Sequence, residues 1–303
     1  MHRQDEISRR FTPDRQLFPF RSRWFESSVG SLHYVDEGEG LPLLLLHGNP
    51  TWSFLYRGIV IRLKERFRCI AVDYPGFGLS AHPGTDRYGY TPAEHAAVVG
   101  ELVDGLALGE LTVVGQDWGG PIGLRIAADR RSRIRALVMG NTWFWPLDPT
   151  DVRDLPTWLF GQGLSTEFGR RLILEKNLFV KRILPLGLKN EVAPEVLDHY
   201  EGPLASTALR RGVAELPRQL VESEEWLAEL AEDVPAMLGD KPLLLTWGMD
   251  DPAFRPSLMD RFRSAFTSVR TVPLDARHYI QEDAPGEMAS AIRDFLETLP
   301  GSA

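Results

Sequence analysis

At 303 residues, the chain has room for about two domains of roughly 150 residues each, or for one core with a large insertion. Hydrophobic residues make up 43% and charged residues 25%, a balance that excludes wholesale disorder. The net charge of −8 argues against a general nucleic-acid binder, and the lone cysteine, Cys69, excludes an internal disulfide framework or a Cys-rich metal centre.

The first ten residues are polar and charged and lead into no apolar signal-peptide core. The purest apolar run, Leu43-Leu44-Leu45-Leu46, is far shorter than the roughly 20 residues a bilayer requires. A cytoplasmic protein without a membrane partner is expected. Short apolar runs then alternate with helical patterns, as in a βαβ sheet. Strands are expected at 32–35, Pro42–Leu46, Arg68–Val72, 111–115 and 134–139. Helices are expected at 52–66, 92–108 and 121–130. Cys69 lies in the apolar Cys69-Ile70-Ala71-Val72 and reads as a buried, inert thiol. Thr91-Pro92-Ala93-Glu94 has the form of a capping box with proline at the first helical position. From about Asn141 to Pro235 the spacing is helical throughout. Strand signal returns at 243–247 and 269–272, and the last helix falls near 287–299. The expected architecture is an α/β core, 1–140 and 236–303, split by a helical cap, 141–235.

The stretch Leu111-Thr112-Val113-Val114-Gly115-Gln116-Asp117-Trp118-Gly119-Gly120-Pro121 carries the chemistry. A strand runs through Gly-x-Asp-x-Gly into a helix, which is a nucleophile elbow with Asp in the usual serine position. The turn strains its central residue, and Gly115, Gly119 and Gly120 let strand and helix approach closely. By itself Asp117 could also be a helix cap. A carboxylate is already ionised at neutral pH, so it can displace a leaving group from an sp³ carbon and form an alkyl ester. Water must then attack that ester, which calls for a general base and an oxyanion hole. Of seven histidines, His278 lies just beyond the last expected strand, where such a base belongs. Asp250 and Asp251 follow the strand at 243–247, and the Gly-x-x-Asp spacing favours Asp251 as the orienting acid. The other strand end that could carry the acid reads Gly140-Asn141-Thr142-Trp143 and has none. The backbone N–H groups of Asn49 and Trp118 are the oxyanion-hole candidates, and His47 reads as a loop-shaping residue.

With these residues in view, the chain resembles the haloalkane dehalogenases of the α/β-hydrolase fold over nearly its whole length. The resemblance rests on His47-Gly48-Asn49-Pro50-Thr51-Trp52, Asp73-Tyr74-Pro75-Gly76-Phe77-Gly78-Leu79-Ser80, Gln116-Asp117-Trp118-Gly119-Gly120 and His278-Tyr279-Ile280-Gln281-Glu282-Asp283. It implies hydrolysis of a halogenated hydrocarbon by water to alcohol, halide and a proton, without metal or organic cofactor. It implies Asp117 as nucleophile, His278 as base and Asp251 as acid. The Trp118 indole N–H and the Asn49 side-chain amide would receive the halide, an arrangement similar to the third subfamily; Trp158 in the cap is a further candidate donor. Phe144, Trp145, Phe160, Phe179 and Ile183 are candidate cavity residues.

Epoxide hydrolysis is the nearest alternative, because that family shares the Asp-Trp-Gly-Gly elbow. It normally uses two cap tyrosines to protonate the ring oxygen, and here only Tyr200 lies in the cap region. An arginine after the nucleophile would suit a carboxylated substrate such as fluoroacetate, but that position is Trp118. A non-catalytic receptor on the same fold is disfavoured by the complete nucleophile, base and acid. Gly76-Phe77-Gly78-Leu79-Ser80-Ala81 mimics a dinucleotide loop but runs into His82-Pro83-Gly84, a turn and not a helix.

Overall fold

The structure is a computed structural model that describes residues 11–152 and 155–301. The charged segment 1–10, with His2, lies outside the described residues. Eight strands form one sheet: β1 (Ser22–Ser27), β2 (Gly30–Glu37), β3 (Pro42–Leu46), β4 (Arg68–Val72), β5 (Leu111–Gln116), β6 (Ile134–Gly140), β7 (Leu243–Gly248) and β8 (Val269–Leu274). Their order is β1-β2-β4-β3-β5-β6-β7-β8. The β1–β2 and β2–β4 pairs are antiparallel, and every later pair is parallel. β3, β5 and β7 are buried along their whole length, because helices cover both faces of a parallel sheet. This is why they read as largely apolar runs without a strict polar alternation.

The α-helices of seven residues or more before β7 are α1 (Arg57–Leu63), α2 (Pro92–Gly105), α3 (Gly119–Asp129), α4 (Leu155–Ser165), α5 (Glu167–Lys176), α6 (Pro194–Glu201), α7 (Arg211–Glu222) and α8 (Glu224–Asp233). After it come α9 (Leu258–Ala265) and α10 (Pro285–Leu296). α2 starts in the expected capping box: Thr91 Oγ1 accepts from Glu94 N at 3.2 Å, and the Glu94 carboxylate accepts from Thr91 N at 3.0 Å.

Two local expectations are corrected. β1 was not anticipated, because SRWFES is a half-exposed edge strand with only two apolar residues. It is recruited by pairing from Ser22↔Val35 to Ser27↔Gly30. The helix expected over 52–66 is two pieces, a 3₁₀ turn at Ser53–Tyr56 and then α1. Asp73 Oδ1 takes Ser53 N at 2.7 Å and holds the first turn apart from the helix.

Between β6 and β7 the described residues form helices and turns, apart from the isolated bridge Val152↔Phe254. α6 is tied to the rest of the chain on two sides. Trp52 Nε1 donates to His199 O at 2.9 Å, and Asp14 N donates to His199 Nε2 at 2.9 Å. Beside them, Tyr200 Oη donates to Glu282, which also forms a two-pronged pair with Arg57. Among the described residues no helix is long and apolar enough to cross a membrane. The registers Leu46↔Gly115, Gln116↔Gly140 and Gly248↔Leu274 align the carboxyl ends of five strands. At that edge the chain leaves the sheet toward Asn49, Asp117, Asn141, Asp251 and His278.

Candidate active site

Asp117 follows β5 with φ +52°, a left-handed conformation that costs a non-glycine residue energy and lifts its side chain off the sheet. The elbow closes only because its neighbours are glycines. A Cβ on Gly115 would overlap Gly119 O, one on Gly119 would overlap Leu46 O, and one on Gly120 would overlap Thr142 Oγ1. The end of β6 braces the turn: Asp117 N donates to Asn141 O at 3.0 Å, and Thr142 Oγ1 donates to Asp117 O at 2.7 Å.

The two oxygens of Asp117 have different surroundings. Oδ1 accepts from the backbone N–H of Asn49 at 2.8 Å. Oδ2 lies 3.6 Å from His278 Nε2. On the far side of the imidazole, Nδ1 lies 2.9 Å from Asp251 Oδ2. Asp251 is itself fixed by backbone donors, with Oδ1 accepting from Ala253 N at 2.6 Å and Phe254 N at 3.1 Å. Asp250, the other candidate acid, faces outward and pairs with Lys189 at 2.7 Å. His278 is buried, which alone would favour the neutral ring; the charges of Asp251 and Asp117 outweigh this and push it up to about 10. His47 donates Nδ1 to Gly48 O at 2.9 Å, and burial pushes it down to about 4, as suits a neutral loop-shaping group. Burial pushes the Cys69 thiol up to about 12, so it stays protonated and inert.

Above Asp117 is a cavity of about 460 Å³. Asn49, Asp117, Trp118 and His278 reach it from the core, and Trp158, Phe160, Phe179 and Ile183 from the helical segment. The Trp118 carbonyl accepts from Ile122 N at 3.2 Å, but its indole N–H has no hydrogen-bond partner among the described residues. Asn49 is already engaged: Nδ2 donates to Val213 O at 3.1 Å. Phe144 and Trp145, expected in the lining, pack instead against Phe262 of α9, with ring centroids 4.9 and 5.7 Å away. Tyr200, the cap tyrosine, is turned away from the cavity toward Glu282 and Arg57.

Three contributors were not singled out from the sequence. Asn141, at φ +41°, donates Nδ2 to Asp251 Oδ2. Gln116 donates Nε2 to His278 O, and the same nitrogen lies 3.1 Å from His278 Nε2. Trp143 packs edge-on to Trp118 at 4.8 Å and lines the cavity. Only their places at the ends of β5 and β6 could have marked them. The assembly offers a carboxylate with one oxygen gripped by a backbone N–H and the other facing His278, a histidine between two carboxylates, and N–H donors beside an apolar cavity.

The profile of the alpha/beta hydrolase fold family matches residues 42–285. Haloalkane dehalogenase 2 of Mycobacterium tuberculosis is 50% identical over 284 residues, 93% of this chain and 97% of that protein. Cis-3-alkyl-4-alkyloxetan-2-one decarboxylase of Shewanella oneidensis is 32% identical over 288 residues, 92% of this chain and 89% of that one. Among solved structures, a haloalkane dehalogenase from Agrobacterium tumefaciens C58 superposes with TM-score 0.85 and 25% identity, covering 94% of this chain and 99% of that one.

Proposed function

The chain belongs to the haloalkane dehalogenases of the alpha/beta hydrolase fold, hydrolases that act on carbon–halide bonds, and we propose that Asp117, His278 and Asp251 carry that reaction here. The observation that carries the assignment is the asymmetry of the Asp117 carboxylate. Oδ1 is held by Asn49 N–H, which leaves Oδ2 to attack the halogen-bearing carbon. Oδ2 forms the C–O bond as the carbon–halogen bond breaks, and the halide departs with the bonding pair. The Trp118 indole and the Asn49 amide receive its charge. Oδ1 becomes the ester carbonyl oxygen and is already beside a backbone donor; Trp118 N–H is the second donor of the oxyanion hole.

Esterification removes the charge of Asp117. One of the two anions that hold the His278 proton is lost, so the ring gives that proton up to solvent more readily and the neutral imidazole is present when water must be activated. His278, oriented by Asp251, takes a proton from water, and the hydroxide attacks the ester carbonyl. Collapse of the tetrahedral intermediate releases alcohol and restores the carboxylate. Residues 141–235 serve in this reading as the cap that closes the cavity over the core, 1–140 and 236–303. The substrate is an apolar halogenated hydrocarbon, in keeping with the aromatic and aliphatic lining.

The test is product analysis with 1-bromobutane and with styrene oxide. Bromide and butanol from the first, with no diol from the second, is expected; diol without halide release would overturn the assignment. A second reading, decarboxylation of a cis-3-alkyl-4-alkyloxetan-2-one, is favoured by the Shewanella oneidensis relative. Release of carbon dioxide and alkene from such a lactone would establish it, and this product is independent of halide release.

A further inference from the structure

α7 has a proline in its interior, Pro217. In an α-helix the carbonyl of residue i accepts from the N–H of residue i+4. Proline has no N–H, so the carbonyl of Val213 is denied that bond. In the structure it is taken up from outside the helix, by Asn49 Nδ2 at 3.1 Å. A carbonyl oxygen only accepts, so this contact also settles which end of the Asn49 amide faces α7. The nitrogen is there, and Oδ1 is buried without a partner. The rest of Asn49 is fixed separately: its N–H is on Asp117 Oδ1, and its carbonyl accepts from Tyr279 Oη at 3.3 Å.

We propose that Pro217 is a positioning residue for the halide site: by freeing the Val213 carbonyl, it lets α7 set the orientation of the Asn49 amide. Nδ2 has two N–H bonds; Val213 O takes one and the other is left for a departing halide. The idea rests on the halide role of Asn49 proposed above. It makes one donor of the site depend on the helical segment rather than on the core loop alone. Ser165 Oγ donates to Pro217 O at 2.6 Å, so α4 in turn braces the proline's own carbonyl.

The experiment is a double-mutant cycle on bromide affinity, read by quenching of tryptophan fluorescence, with thermal unfolding to verify that each variant is folded. Pro217→Ala returns an N–H to the helix, which then competes for Val213 O. With Asn49 present, it is expected to weaken bromide binding about fivefold or more, the size of one net hydrogen bond. In an Asn49→Ala chain the same change is expected to move affinity by less than about twofold. Equal weakening in both chains would mean that Pro217 acts by its own contact with the cavity, and would overturn the proposal; so would no weakening in the first. An Asn49→Ala variant with unaltered affinity would instead remove the halide role of Asn49, a separate outcome that takes the proposal with it. Should Pro217→Ala fail to fold, the unsubstituted protein gives the answer. Its four asparagines, labelled with ¹⁵N, give four side-chain amide pairs, and the Asn49 pair is the one missing from Asn49→Ala. One of its protons is expected to be protected from solvent exchange; free exchange of both would overturn the proposal.

Discussion

The side-chain amide of Asn141 donates to Oδ2 of Asp251 at 2.6 Å, the oxygen that also faces Nδ1 of His278 at 2.9 Å. Asn141 Oδ1 in turn accepts from Gly248 N at 2.7 Å, so the amide is pinned from both ends of its dipole. It holds Asp251 against His278 without carrying charge itself. Asn141→Ala removes one hydrogen bond to a charged group, about 1.5–3 kcal/mol, and is expected to slow ester hydrolysis roughly 10- to 100-fold. Alkylation should be affected far less. Rapid-quench separation of the halide burst from the steady rate is the measurement; equal slowing of both would refute the role.

His278→Phe retains the proposed nucleophile, Asp117, and removes the proposed base. Incubation with a bromoalkane is expected to release one bromide per chain and then stop, with the alkyl mass on the peptide containing Asp117. Absence of the adduct, with the variant folded, would exclude the ester route.

The position of His278 between two carboxylates has a sign that can be tested in stability as well as in rate. Burial disfavours the imidazolium, but Asp251 and Asp117 more than offset it and raise the folded-state value from 6.5 to about 10. Protonation therefore stabilises the folded chain fully below pH 6.5, and that contribution is lost as the pH rises through about 10. Asp117→Asn removes one of the two anions, so urea unfolding between these limits should show a shallower loss than in the parent. In single turnovers, ester hydrolysis should titrate at a lower pH than His278 of the free enzyme observed by NMR, because the ester carries no charge. Coincidence of the two values would count against the charge-loss step.

Gly48 offers a substitution aimed at Asp117 and the elbow that carries it. The three atoms nearest to a Cβ placed there all belong to the Asp117 side chain. Asp117 Cβ, one of the closest, is bonded to the backbone, so Gly48→Ala should displace the elbow together with the carboxylate. Misplacement by about 1 Å can cost on the order of 10²-fold, so the alkylation burst should fall by at least that much, with a lower melting temperature. An unaltered burst would mean that Asp117 tolerates the displacement.

What could be read from the sequence was what is decided locally. β3 and β4 were placed to the residue because strands covered on both faces leave continuous apolar runs. The α2 capping box was legible because its partners are three residues apart. Asp117, His278 and Asp251 could be singled out because an elbow and two strand ends have fixed places in this sheet, and the structure brings the three together. β1 escaped because its pairing with β2, not its composition, makes it a strand. Phe144 and Trp145 were misjudged as cavity residues because their partner, Phe262, is more than a hundred positions away in the chain. The bond between Asn49 and Val213 spans 164 positions, and no pattern within either segment points to the other.

Under the proposed mechanism, the grip of Asn49 N–H on one oxygen of Asp117 would give the carboxylate an isotopic memory. Each turnover would send the Oδ2 atom away in the alcohol and replace it with an atom from water, while the gripped oxygen stayed. In heavy-oxygen water the first alcohol from each chain would carry ordinary oxygen, and later ones would carry the label acquired one cycle earlier. After many cycles Asp117 would hold one heavy oxygen. A carboxylate that rotated freely between turnovers would come to hold two.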